Sequence, residues 1–169
     1  PEGPIPVVHV NEREHRPGGA AGVASMLSAL GAGVNCVGLV GDDAAGSRLQ
    51  QELEEKHIDT SGLVTSSDRP TTVKTRYMGY VQSAGRSLQQ LVRVDDEDCG
   101  PAGGDVARRV VEAVKNADSE FIVVQDMAKG LLTADLQQRL ISVARQTGQR
   151  VLIDPRRGED YSAYRGAHY

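Results

Sequence analysis

Gly38-Leu39-Val40-Gly41-Asp42-Asp43-Ala44-Ala45-Gly46 has the layout G-x-V-G-x-D-x-x-G: a strand, a turn and the start of a helix. The strand reading extends back to Asn35, since Asn35-Cys36-Val37-Gly38-Leu39-Val40 is a short, largely apolar run. Gly41 permits the turn. Asp43 can cap the helix by accepting a hydrogen bond from one of its free amides, and Gly46 lets that helix pack closely. The role of this stretch is structural; it identifies a fold better than it does chemistry.

Outward from it, the chain reads as alternating elements. Upstream, Val7-Val8-His9-Val10 reads as a short strand, preceded by prolines that suit a sheet edge. Arg16-Pro17-Gly18-Gly19 then opens a run in which Ala20, Val23, Ala24, Leu27 and Leu30 recur at helical spacing, closed by Gly31 and Gly33. Downstream, Asp42-Asp43 leads into a polar amphipathic helix ending near Lys56, and Ile58 to Val64 leads to another edge.

The middle changes character. Thr71 to Tyr80 is rich in β-branched and aromatic residues, and Gln89 to Val94 alternates in the strand manner. Ser83-Ala84-Gly85-Arg86-Ser87 between them is a turn, so a hairpin with one exposed face is expected. From Asp105 to Asn116 comes an amphipathic helix, then an apolar strand from Phe121 to Val124. Thr133 starts a helix with Leu136, Leu140, Val143 and Ala144 on one face; Gly148 closes it, and Val151-Leu152-Ile153 is a buried strand. Helix–strand alternation with short apolar strands means a parallel sheet with right-handed crossovers. The expected architecture is an α/β layer domain carrying a small β appendage, without internal repeats.

At 169 residues the chain fits one domain large enough to bury a core. No apolar run approaches membrane-spanning length, and no basic, apolar leader points to export. Cys36 and Cys99 have neither metal nor redox spacing, so a reduced, cytoplasmic protein is expected. A net charge of −4 without a basic stripe, a single Phe and no Trp argue against a nucleic-acid partner. The four histidines form no spaced cluster, and neither a Walker A loop nor a nucleophile elbow is present.

Three places carry candidate chemistry. Gly18-Gly19 sits at a helix N-terminus, where free amides favour hydroxyls or anions and glycines allow close approach; a plain tight turn is the alternative. Asp126-Met127-Ala128-Lys129-Gly130 follows a parallel strand, the end that faces a ligand crevice. A carboxylate there can fix sugar hydroxyls and Lys129 can neutralise a phosphate; a solvated loop is the alternative. Asp154-Pro155-Arg156-Arg157-Gly158 repeats the theme after the next strand, and Lys74, Arg76 and Arg93 lie on the hairpin, as a lid's phosphate contacts or as a solvated face.

These pieces, in this order, resemble the ribokinase (PfkB-type) carbohydrate kinase family, and within it the bacterial heptose 7-phosphate kinase branch. The matching stretches run from Pro1-Glu2-Gly3-Pro4-Ile5-Pro6-Val7-Val8 through Arg16 to Ala21, Gly38 to Gly46 and Gln89 to Asp95. They continue through Asp126 to Gly130, Ile153 to Arg156 and Tyr164 to Ala167, so nearly the whole chain is covered. The resemblance implies a ribokinase-like three-layer α/β/α fold, here incomplete, with a β lid. Residues 1–169 would be one partial kinase domain, with lid strands at about 4–10, 71–80 and 89–95 and an α/β core from 18–64 and 104–169. It implies ATP- and Mg2+-dependent phosphorylation of the C1 hydroxyl of a heptose 7-phosphate, feeding ADP-heptose synthesis for lipopolysaccharide, and a homodimer formed through the lid. Gly18, Gly19 and Asp126 would contact the sugar; Lys129 and Arg93 would meet its phosphate.

The sequence departs from the family pattern at Gly22, where Asn is usual, at Met127, where Tyr is usual, and at Arg156, where Lys is usual. The family's opening sugar-binding Asp would precede Pro1. Its catalytic-base segment, Gly-Ala-Gly-Asp, would follow Tyr169, so the polypeptide alone is expected to lack turnover. Two other readings stay open: a PfkB-type kinase for another sugar or a nucleoside, and a non-catalytic sugar-binding or assembly module.

Overall fold

Asp43 decides how the first unit folds. In the computed structural model, which describes Gly3, residues 7–80 and residues 87–169, its carboxylate caps α2, Ala44–Glu54, by accepting the Gly46 amide at 2.7 Å. The helix starts directly after β1, Gly38–Gly41, and returns the chain to β2, Leu63–Ser66, which pairs in parallel with β1 from Gly38↔Leu63 to Gly41↔Ser66. A Cβ on Gly46 would lie 2.5 Å from the Gly41 carbonyl oxygen, so the close packing expected of that glycine is real. Ahead of β1 lies α1, Gly19–Ala29, ended by Gly31 at φ +89.

The second unit repeats the scheme. α3, Gly104–Asn116, precedes β5, Phe121–Gln125. α4, Ala134–Thr147, begins where the Thr133 hydroxyl accepts the Leu136 amide and ends at Gly148 in the left-handed region. It leads to β6, Arg150–Asp154, parallel to β5 from Phe121↔Arg150 to Gln125↔Asp154. Of the face read for α4, Leu136, Leu140 and Ala144 are core residues, Val143 packs against them partly buried, and Ile141 joins the buried set.

Among the described residues two apolar clusters hold the units. A smaller one gathers Ala21 and Ala24 of α1 with Cys36, Leu53 and Ile58. A larger one gathers α3, α4, β5 and β6, and it takes in Val64 of β2. The two parallel pairs are therefore joined by side-chain packing; among the described residues no ladder hydrogen bonds link them into one sheet. β5 forms where the apolar run from Phe121 to Val124 was expected to be a strand, with its two faces differently covered. Ile122 and Val124 are buried while Phe121 and Val123 are about half exposed.

Between the units the chain forms the hairpin, β3, Val73–Tyr80, and β4, Leu88–Asp96. The pairing is antiparallel, running Val73↔Asp96 to Tyr77↔Val92, and it shifts at Tyr77/Met78 so that Leu91 is extra on β4. Every residue of β4 is exposed. Residues 83–86 of the expected turn lie outside the described residues. The strand expected at Val7–Val10 does not form: these residues are irregular and largely exposed, and among the described residues no strand offers them a ladder. Residues 4–6 of that expectation are outside the described set.

Candidate functional site

The Gly-Gly turn and the loop after β5 come together. Gly18 is the N-cap of α1 and supplies no side-chain cap, so the first amides of the helix are left to other partners. Gly19 has φ +53, which a glycine adopts without strain, and a Cβ there would lie 3.8 Å from Met127 Cγ and 4.0 Å from Gln125 Oε1. A Cβ on Gly18 would meet nothing within 4 Å among the described residues, so their packing does not require that glycine. Gln125 Oε1 is buried in this same corner without a hydrogen-bond partner among the described residues. Gly22, one turn into α1, is tighter, since its Cβ would lie 3.2 Å from the Pro17 carbonyl oxygen.

Asp126 is placed differently from what its position after a parallel strand suggests. Its residue exposure is only 4%. Oδ1 accepts the Ala128 amide at 2.9 Å, and Oδ2 accepts from Gln137 Nε2 and from the Tyr164 hydroxyl, both at 2.9 Å. The carboxylate is thus turned into the protein and held by α4 and by the short 3-10 turn Ser162–Tyr164. Burial, and then the Asp126 carboxylate, push the Tyr164 phenol up. Asp126 joins this corner as a brace, through backbone and neighbours, rather than by an open carboxylate.

Lys129 and Arg93, the two phosphate candidates, are the ends of one chain of ion pairs. Lys129 Nζ lies 2.6 Å from Glu97, Glu97 lies 2.9 Å from Lys74, Lys74 lies 2.7 Å from Asp95, and Asp95 lies 3.0 Å from Arg93. Three cations alternate with two carboxylates along the base of the hairpin. Lys129, then Lys74, hold the Glu97 carboxyl down to about 2. A folded value below the unfolded one means that this link contributes above the ordinary Glu range of about 4.3 and is lost as pH falls through about 2. Arg76 pairs across the hairpin with Arg93 and does not enter this chain. The ion pairs tether the hairpin to the loop after β5.

The same loop is clamped by backbone. Gly130 has φ +81, its carbonyl accepts the Ala102 amide at 2.9 Å, and it packs directly on Gly100. Asp154 lies beside this corner: Gln125 Nε2 donates to its carboxylate at 3.4 Å and the Asp126 amide to its carbonyl at 3.0 Å.

Comparison with known proteins identifies the scaffold. The model of the pfkB family carbohydrate kinases matches residues 2–167. The chain belongs to the pfkB family. Curated relatives include the "Bifunctional protein HldE" of Helicobacter pylori (strain P12), 38% identical over 166 residues, which are 97% of this chain and 34% of that protein. The HldE of Gluconobacter oxydans (strain 621H) is 41% identical over 170 residues, 99% of this chain and 34% of its own. This pfkB chain therefore spans about a third of the length of the curated relatives it matches. Among solved structures, phosphofructokinase-2 from Escherichia coli in complex with potassium is similar with a TM-score of 0.67 at 19% identity, over 95% of this chain and 49% of that one. The PfkB protein from Polaromonas sp. JS666 is similar with a TM-score of 0.60 at 19% identity, over 92% and 51%. These likenesses establish a ribokinase-like α/β fold.

Sequence reasoning missed Glu97, Gln137 and Tyr164. Glu97 carried no signal, because its partners are 23 and 32 residues away. Gln137 had one: it stands three residues before Leu140 and four before Ile141, a polar side chain on the apolar face of α4. A buried amide there requires a polar partner, and Asp126 is that partner.

Proposed function

We propose that this chain is the sugar-binding part of an ATP-dependent carbohydrate kinase whose acceptor is the C1 hydroxyl of a heptose 7-phosphate. The observation that carries this reading is that the HldE relatives match over 97–99% of the chain at 37–41% identity. Gly18 and Gly19 offer the sugar hydroxyls an uncapped helix end with no side chain in the way. Asp126 supports that wall from behind. Lys129 and Arg93 receive the distal phosphate, with Lys74 between them, once Glu97 and Asp95 give up part of their hold. In such chemistry the protein acts by positioning and charge stabilisation, and this chain's share is to orient the acceptor.

ATP supplies the transferred phosphoryl group and Mg2+ screens its charge. Among the described residues no group of three His, Cys, Asp or Glu side chains is placed to hold a metal ion, so nucleotide and Mg2+ binding are assigned to no residue here. The family's Gly-Ala-Gly-Asp stretch is not among these residues, and the polypeptide alone is expected to show no ATP-dependent product. No described helix is long and apolar enough to cross a membrane; the proposed setting is the cytoplasm, in ADP-heptose supply for lipopolysaccharide.

The full-length protein tests the reading directly. It is expected to phosphorylate heptose 7-phosphate in preference to ribose, fructose 6-phosphate or a nucleoside; a preference for ribose would sink the heptose assignment. Lys129→Met in that protein should raise KM for the phosphorylated sugar by about 10–100-fold, the range for losing a charged hydrogen bond. An unchanged KM would remove Lys129 from the phosphate site.

The hairpin is proposed as the lid and as the contact between two subunits. Thr75 faces Val94 and Tyr77 faces Val92 across the ladder, so one face carries an apolar stripe. Val92 and Val94 on that stripe are about half exposed. A two-stranded sheet is marginal by itself, and a second copy of the same stripe would cover it. Sedimentation of the full-length protein is expected to show a dimer that Val92→Lys converts to monomer; a dimer unaffected by that change would place the contact elsewhere.

A further inference from the structure

The turn after β5 is held in a backbone conformation that its sequence does not favour. Ala128 has φ +55, left-handed for a residue with a Cβ. What retains it is the Asp126 carboxylate, which accepts the Ala128 amide at 2.9 Å. Asp126 has no freedom of its own, because Gln137 Nε2 and the Tyr164 hydroxyl converge on its other oxygen at 2.9 Å each. Gln137 is 2% exposed, and the same Nε2 donates to the Leu132 carbonyl at 3.1 Å, closing the far end of the loop.

We infer that Gln137 and Tyr164 are positioning residues: acting through Asp126 they hold the 126–130 turn and so set where Lys129 points. Three observations carry this. The donors come from two separate elements, α4 and the 3-10 turn 38 residues downstream, so the bonds fix Asp126 in three dimensions and not only along its own loop. Second, Gln137 Oε1 is buried with no hydrogen-bond partner among the described residues. Its amide is oriented to serve Asp126 and Leu132 at the expense of its own oxygen, an unfavourable arrangement for a group with only a packing role. Third, the turn is held at both ends: Gly130 packs on Gly100, and Asp126 is held by Gln137 and Tyr164, which leaves Lys129 between two held points, reaching Glu97 at 2.6 Å. A buried polar cluster of this kind is replaceable by apolar residues where stability alone is at stake; what it adds is direction.

The inference uses the kinase reading only in giving Lys129 a ligand, and the experiment separates the two. In the full-length protein, Tyr164→Phe removes one donor with little change in shape, and Gln137→Met removes the other while filling the same space. Hydrogen exchange at the Ala128 and Lys129 amides is expected to speed up about tenfold in each, from loss of one bond to a charged group, with β6 unaffected. KM for the phosphorylated sugar is expected to rise about tenfold while kcat stays within about twofold, and KM for the same sugar without its phosphate should not move. Unchanged exchange at both amides in both variants overturns the inference, as does a KM increase equal for the two sugars. Faster exchange with every KM unchanged upholds the positioning and removes Lys129 from the phosphate.

Discussion

Gly130→Ala is expected to lower the unfolding free energy by at least about 3 kcal/mol, measured as a drop in the denaturant midpoint at constant slope. Two separate costs combine. At φ +81 a residue with a Cβ is strained by roughly 1–3 kcal/mol. The new Cβ would also overlap the Gly100 carbonyl oxygen and approach the Gly100 carbon and the Cys99 backbone, none of which is a flexible side chain that can swing away. Gly148 provides the control. It has a similar φ of +77, yet a Cβ there meets nothing within 4 Å, so Gly148→Ala should show the backbone cost alone, about 1 kcal/mol. Equal losses for the two variants would mean that the 126–130 loop does not sit on Gly100 as described.

Asp43→Ala should cost about 3 kcal/mol at neutral pH, and the loss should shrink in acid. The carboxylate caps α2 at Gly46 and accepts the Thr71 amide and the Thr71 hydroxyl at 2.8 Å each; that hydroxyl in turn accepts the Gly41 amide at 2.8 Å. Removing it loses a cap worth about 1 kcal/mol and leaves the Thr71 amide without its partner, about 1–3 kcal/mol more. The Thr71 amide, and after burial's opposing effect the Gly46 amide, hold the Asp43 carboxyl below the usual range. A depressed folded value stabilises above the unfolded value of about 3.9 and is lost as pH falls through the folded one. The stability gap between wild type and Asp43→Ala should therefore narrow from about pH 4 downward; a gap as wide at pH 2.5 as at pH 7 would show that the carboxylate's charge contributes nothing.

The two costs lie on different links. Asp43 ties a motif to a segment 28 residues away, yet its cap was legible because capping is local: the acceptor is three residues from its donor. The same holds for Thr133 and Gly148 around α4 and for the spacing of Leu136, Leu140 and Ala144. The Val7–Val10 strand was misread because a strand needs a neighbour, and local composition cannot say whether one is there. Phe121 and Val123 are apolar but open for a related reason: an apolar strand records affinity for cover, not which face receives it.

At the candidate site the division is sharper. A helix N-terminus marked Gly18 and Gly19, and a place after a parallel strand marked Asp126 and Lys129; only the family resemblance joined them, and the structure does bring Gly19 beside Gln125 and Met127. The direction of each side chain was not available. Asp126 is committed inward to Gln137 and Tyr164, and Lys129 is engaged by Glu97, because long-range partners competed for both. The G-x-V-G-x-D-x-x-G stretch, the caps and the periodicities determined the α/β scaffold by themselves, since each acts within a few residues; the family followed from the resemblance of those stretches, taken in order, to the pfkB kinases. The brace behind Asp126 and the ion-pair chain from Arg93 to Lys129 were decided only by tertiary structure, since hydrogen bonds and charge pairs depend on distances that chain separation does not encode.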